Sequence, residues 1–281
     1  MISVNKERDN ARKQTIAFLL AIMFIIGAFI PLVKSDINDP WWNADWLYRK
    51  QITIDHTKVA ADLTNFPVLI HLIDSDLLLK AQSDGDDIVF TNQIGVKLNH
   101  EFESYNNVTG ELIAWVNTPV LSSTQDTILY IYYGNTSCSN QQNPTAVWDS
   151  NFVMVHHLQA TQGTHYDSTA FGNNGVPQGA LNQNSIGKID GADEFDGSTS
   201  YIDCGKNPSL NITNQITVSA WVKADVSRNG RIASKHGPSA GSFGWMLAQS
   251  WGRLEWRIST TGTNWNGGTT SASSFPVGSW C

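Results

Sequence analysis

Gly252-Arg253-Leu254-Glu255-Trp256-Arg257-Ile258 decides the fold class. Leu254, Trp256 and Ile258 fall on one side of a two-residue repeat, and Arg253, Glu255 and Arg257 on the other. Only an extended strand gives side chains that period, so the stretch predicts a half-buried β-strand. Similar segments recur toward the N-terminus. Trp245 to Ala248, Ile216 to Lys223, Tyr201 to Cys204, Ala192 to Phe195 and Val153 to Leu158 are short, apolar and bounded by Gly or Asn. A further set precedes Gln141-Gln-Asn-Pro144: Gln51 to Ile54, Phe66 to Leu72, Asp87 to Phe90, Leu112 to Val116 and Thr127 to Tyr133. Turn signals separate them at Asp84-Gly85, Asn106 to Gly110 and Gly134-Asn135. Pro67 suits an edge strand. One short helix is predicted over Asp74 to Gln82, with Asp74 as its N-cap. The pattern predicts an all-β chain of two β-sandwich domains, 43–140 and 150–281, joined by a linker at 141–149.

Composition agrees with strands and turns. The chain has 281 residues, enough for two domains, with 22 Gly and 11 Trp. Charged residues make up 15%, against about a quarter in ordinary soluble domains. The net charge of −7 argues against nucleic acid as a partner.

The first 14 residues run against that charge, with Lys6, Arg8, Arg12 and Lys13 set against Glu7 and Asp9. Gln14 to Val33 then follows as 20 residues without a charge. That is the length a helix needs to cross a bilayer, about 20 apolar residues. The basic tip at 1–13 is expected to stay in the cytoplasm. Length favours an uncleaved anchor over 14–33, followed by a linker at 34–42. Pro31 and a Val33-Lys34-Ser35 site keep a cleaved signal peptide open as the alternative. Either way the sandwiches are expected outside the cytoplasmic membrane. Three glycosylation sequons, at Asn107, Asn135 and Asn211, and three cysteines, Cys138, Cys204 and Cys281, complete the signals an exported chain could use.

Several motifs carry a resemblance. Trp46-Leu-Tyr-Arg-Lys50, Asn65-Phe-Pro-Val-Leu-Ile70, Asp84-Gly-Asp-Asp-Ile88, Ala114-Trp-Val116 and Tyr130-Ile-Tyr-Tyr-Gly-Asn135 resemble, in order and spacing, the family of domains of unknown function numbered 2341, over about 43–135. That resemblance implies a module of a bacterial or archaeal surface protein, with no enzymatic activity attached. Val155-His-His-Leu158, Asp167 to Gly175, Gly187 to Ala192, Phe195-Asp-Gly197, Tyr201-Ile202 and Val218 to Lys223 are similar to a concanavalin A-like, laminin G-type jelly roll. It covers 150–281, and Phe275-Pro-Val-Gly-Ser-Trp280 resembles the lead into a mid-domain strand. Further strands are therefore expected beyond Cys281.

Chemistry-bearing residues are few. Glu194-Phe195-Asp196 has the i, i+2 spacing that puts two carboxylates on one strand face, as paired-carboxylate glucanases need. The third carboxylate of that pattern is missing, since Ser198 and Thr199 stand in its place, so no catalytic residue is assigned. His156 and His157 are adjacent and point to opposite faces, which does not suit one metal ion. The Asp167–Gly175 loop offers carboxylate, amide and backbone oxygens, a donor set for calcium, with Asp167 and Asn173 as ligands. The resemblance, whose jelly rolls often bind calcium, points the same way; the alternative is an Asx-turn. Exposed aromatic faces pack on the C–H faces of sugars. Trp256 is in phase with the core, so Trp251 and Trp265, in turn-like segments, are the ligand-binding candidates. The expectation is a non-enzymatic cell-surface binding or adhesion protein for glycan or another envelope component. Its rivals are a glycoside hydrolase with its acid/base elsewhere and a structural or accessory part of an envelope transport system.

Overall fold

A computed structural model describes residues 2–5, 41–236 and 244–281. The chain divides into two compact units, one of residues 11–149 and one that combines residues 1–10 with 150–281. The apolar run Gln14–Val33 lies outside the described residues. Among the described residues no helix is long and apolar enough to cross a membrane.

Strand β1 (Ile2–Asn5) pairs within the second unit. The first unit begins with β2 (Tyr48–Ile54) and β3 (Leu63–Ile73), followed by β4 (Val89–Asn92), β5 (Lys97–Leu98), β6 (His100–Asn106), β7 (Glu111–Leu121) and β8 (Thr127–Tyr133). They form two antiparallel sheets, ordered β2-β8-β4-β5 and β3-β7-β6. Alternate residues make the core: Ile52 and Ile54, Val68, Ile70 and Leu72, Leu112, Ala114 and Val116, Leu129 and Ile131. Pro67 sits on β3, whose one strand neighbour among the described residues is β7, so its missing N–H leaves no central ladder broken. The predicted helix is α1 (Ser75–Lys80), and Asp74 caps it by accepting from the Asp76 N–H. Gly110, at φ +72°, lets the β6–β7 turn press on that cap: a Cβ there would lie 2.1 Å from the Asp74 carbonyl oxygen.

Residues 141–149, expected as a linker, are instead part of this unit. The Phe102 N–H donates to the Gln142 side-chain oxygen (2.7 Å), the Asn143 N–H to the His100 carbonyl (2.9 Å), and the Trp148 indole N–H to Glu101. Trp115 faces outward between the inward Ala114 and Val116, and donates to Glu103 Oε2 at 2.6 Å. Two carboxylates thereby become buried, each held by an indole. On the other sheet, Trp41, Trp42 and Trp46 pack on Val89, Tyr130 and Tyr132, with the Arg49 guanidinium over Trp41 and Tyr130.

The second unit contains β9 (Phe152–His156), β10 (Val176–Gln178), β11 (Asn182–Ile186), β12 (Gly191–Glu194), β13 (Tyr201–Asp203), β14 (Thr217–Ala220), β15 (Gly230–Lys235), β16 (Trp245–Ser250), β17 (Arg253–Ile258) and β18 (Gly267–Ser274). β15-β16-β17-β18 form an antiparallel meander, β14-β1-β9 a three-stranded sheet, and β10-β13 and β11-β12 two small pairs. Val153, Met154, Leu210 and Trp245 form its core, with Val218, Ala233 and Trp256 packed against them. Trp256 is therefore core, as its phase predicts. The inner faces are not closed everywhere: Val218, Ala220, Val222, Ile232, Leu247 and Leu254 line an apolar cavity of about 380 Å³. Beyond β18 the chain turns back, and Cys281 exchanges both backbone hydrogen bonds with Val222.

Candidate ligand-binding site

The turn between β16 and β17 holds the most exposed tryptophan in the second unit. Ser250 pairs with Arg253, so Trp251 and Gly252 alone make the hairpin loop. Both have positive φ, +50° and +73°. Two-residue hairpins with positive φ at both positions match the twist of the strands and normally carry Asn-Gly or Gly-Gly. A tryptophan at the first position is sterically costly, about 1–3 kcal/mol for a non-glycine residue in the left-handed region. Its side chain recovers nothing by packing, since it is 87% exposed. The Trp251 N–H donates to Asn229 Oδ1 at 2.7 Å, which fixes the turn to the segment before β15.

The surroundings are polar and mixed in character. Ser227 Oγ lies beside Gly252, and the Arg228 guanidinium beside Gly197. That second contact brings the Asp196–Ser200 loop alongside. Asp196 accepts from the backbone N–H groups of Ser198, Thr199 and Ser200 and from the Thr199 and Ser200 hydroxyls. The Thr199 hydroxyl first, then those N–H groups, hold its carboxyl well below the usual carboxylate range. Phe195 and Tyr201, which flank this loop, are 46% and 55% exposed.

This arrangement separates residues that the sequence had grouped. Trp251 precedes β17 and Trp265 lies beyond its far end, so six strand residues, roughly 20 Å, stand between them. Trp265 is half-buried against the His236 ring, at 5.0 Å. The two tryptophans therefore do not share a site. Glu194 and Asp196 do not face one bond either. Glu194 ends β12 and accepts from Asn182 and Ser185, whereas Asp196 is consumed in its own turn.

Asp167 and Asn173 do come together, in one hydrogen-bonded loop. Asp167 Oδ1 accepts from the N–H groups of Val155 and Thr169, both at 2.9 Å; Oδ2 accepts from Thr169 Oγ1 and the Asn173 N–H, both at 2.8 Å. Four donors occupy the roughly four lone-pair positions of a carboxylate. The Asn173 amide donates to the Val153 carbonyl and to Ser209 Oγ. These bonds have the form of the Asx-turn alternative: they staple the loop to β9 and engage both Asp167 carboxylate oxygens. His156 is buried and donates from Nε2 to the Asn173 carbonyl oxygen (2.8 Å), and burial lowers its pKa. Among the described residues, Asp55, His56 and Asp126 lie close enough to share an ion, but the two aspartates are exposed, His56 is half-buried, and all three are hydrogen-bonded around the turn at His56–Lys58.

The sequence signalled Trp251 by residue type but not Asn229, Ser227 or Arg228. Those sit in a polar loop with no periodicity, and only the fold brings them beside the hairpin.

Comparison with known proteins gives two family matches, the first of which crosses the boundary between the units at 149/150. Residues 84–174 match the family described as a domain of unknown function, number 2341. Residues 196–281 match the concanavalin A-like lectin/glucanases superfamily, in its laminin G-type form. The order is the one the motifs set. The first match is displaced from 43–135: it shares the Asp84 to Asn135 segment and runs on through Trp148 to Asn174. No curated protein and no solved structure matches the chain.

Proposed function

We propose that this is a cell-surface binding protein whose concanavalin A-like unit engages glycan at the rim formed by Trp251, Asn229, Ser227 and Arg228. One observation carries the reading: Trp251 stands 87% exposed in a strained hairpin position where a small residue would be more stable. A flat, rigid aromatic face beside hydroxyl, amide and guanidinium donors is what stacking on a sugar and bonding its hydroxyls require. The superfamily match supports the same reading. Attachment to the membrane through Gln14–Val33 is part of the proposal, supported by the length of the run and the basic residues before it. The chain is read as non-enzymatic, because Glu194 and Asp196 are engaged in separate turns.

Titrating the full chain with a panel of oligosaccharides, followed by tryptophan fluorescence and calorimetry, tests this reading. Trp251→Asn places a preferred residue in the turn. It is expected to raise stability by about 1 kcal/mol while weakening glycan binding at least tenfold. A panel with no binder, or equal affinity in Trp251→Asn, refutes the site.

A further inference from the structure

The second unit buries a polar group of a different kind, between the β11–β12 hairpin and the loop before β10. His165 is 2% exposed and the Asp193 side chain 0%. His165 Nε2 lies 2.8 Å from Asp193 Oδ2 and 2.9 Å from the Gln183 amide nitrogen, which itself lies 2.8 Å from the Gly163 carbonyl oxygen. One ring nitrogen cannot both donate to a carboxylate and accept from an amide N–H. The His165–Asp193 approach is close without being a hydrogen bond, and neither Asp193 oxygen meets a donor among the described residues. A fully buried carboxylate with no donor is unfavourable unless something charged compensates it.

We propose that His165 Nε2, Asp193 Oδ2, the Gln183 amide oxygen and the Gly163 carbonyl hold a first-row divalent metal ion of mixed nitrogen and oxygen preference, such as Zn²⁺ or Mn²⁺. Ligands at right angles on a six-coordinate ion, with bonds of about 2.0–2.2 Å, stand about 2.8–3.1 Å apart, which matches the three spacings above. Rotating the Gln183 amide by half a turn, which exchanges its oxygen and nitrogen at the same positions, supplies the third oxygen. The ion removes the proton conflict, because every donor atom then presents a lone pair. An imidazole with three oxygens selects a transition metal over calcium. Gly163 is exposed and Gln183 half-buried, so the ion enters from that side. Its consequence is structural: it ties β11 and β12 to the Gly163–His165 loop.

The test uses the full chain without a polyhistidine tag, stripped with chelator, reloaded with Zn²⁺ or Mn²⁺ and desalted. A His56→Ala background removes the Asp55–His56–Asp126 group from the reading. Stoichiometric retained metal and a higher melting temperature with metal than with chelator are expected. Asp193→Asn and Gln183→Ala should each weaken binding roughly tenfold or more. Electron spin echo spectra of the Mn²⁺-loaded His56→Ala chain should show coupling to one imidazole nitrogen, a readout that stands even if Asp193→Asn does not fold. Absence of retained metal, retention unchanged in Gln183→Ala, or a spectrum without that coupling would each overturn the proposal and leave a buried ion pair.

Discussion

His100 shows at the scale of one residue how burial sets a property that no motif announces. Its ring is fully buried, 5.3 Å from the Phe90 ring and 5.6 Å from the Phe102 ring, and its Nε2 meets no partner among the described residues. Burial pushes its pKa from 6.5 down to about 4; the Leu98 carbonyl opposes this only weakly. The unfolded chain therefore takes up a proton near pH 6.5 that the folded chain refuses until about pH 4. Stability is full above the unfolded value and falls as pH drops through that window, by at most about 3 kcal/mol. Urea melts of the first unit's signal between pH 7 and 4 should show this slope, and His100→Leu should flatten it. Equal slopes in both proteins would mean that other groups carry the acid sensitivity. The same scale explains what was legible in the candidate site. A tryptophan in a Gly-rich turn is visible in a sequence. Whether it is exposed, as Trp251 is, or laid against a histidine, as Trp265 is, depends on partners tens of residues away.

At the scale of elements, legibility followed the apolar signal. Thr127-Ile-Leu-Tyr-Ile-Tyr-Tyr133 is β-branched and aromatic throughout, and β8 has those bounds. β6 escaped because Glu101 and Glu103 read as surface positions, whereas indoles hold both in the interior. β18, Gly267-Gly-Thr-Thr-Ser-Ala-Ser-Ser274, and β11, Asn182-Gln-Asn-Ser-Ile186, offer almost no apolar contrast and are defined by pairing with their neighbours. The Asp167–Asn173 loop belongs to the same lesson: its Gly and Asn content was legible, but the use of its oxygens was not. Asp167→Ala leaves the buried N–H groups of Val155 and Asn173 without acceptors, at about 1–3 kcal/mol for each unmet group. It should therefore lower the melting temperature of the second unit by the same amount in calcium and in chelator. A loss that appears only with calcium present would place the ion in this loop.

The whole molecule poses a question of topology that the second unit makes measurable. β1 lies between β9 and β14, with Ser3 opposite both Val155 and Ser219. That pairing requires Ile2–Asn5 and the sandwich to share one compartment. A single span over Gln14–Val33, with the basic tip retained in the cytoplasm, puts them on opposite sides of the bilayer. Cleavage near Val33 would remove the strand altogether. The β1 pairing and the proposed anchoring therefore exclude each other, and an anchored chain would leave the facing edges of β9 and β14 free to take another strand. Opposed positions in an antiparallel pair are close enough for a disulfide. In a chain whose three native cysteines are replaced by serine, Ser3→Cys with Ser219→Cys should crosslink after refolding away from membranes. The same pair should stay reduced under mild oxidation when the chain is inserted in membranes, where an N-terminal tag should also resist external protease. An efficient crosslink in the membrane-bound chain would show that Gln14–Val33 does not cross, and that β1 is a permanent part of the sheet.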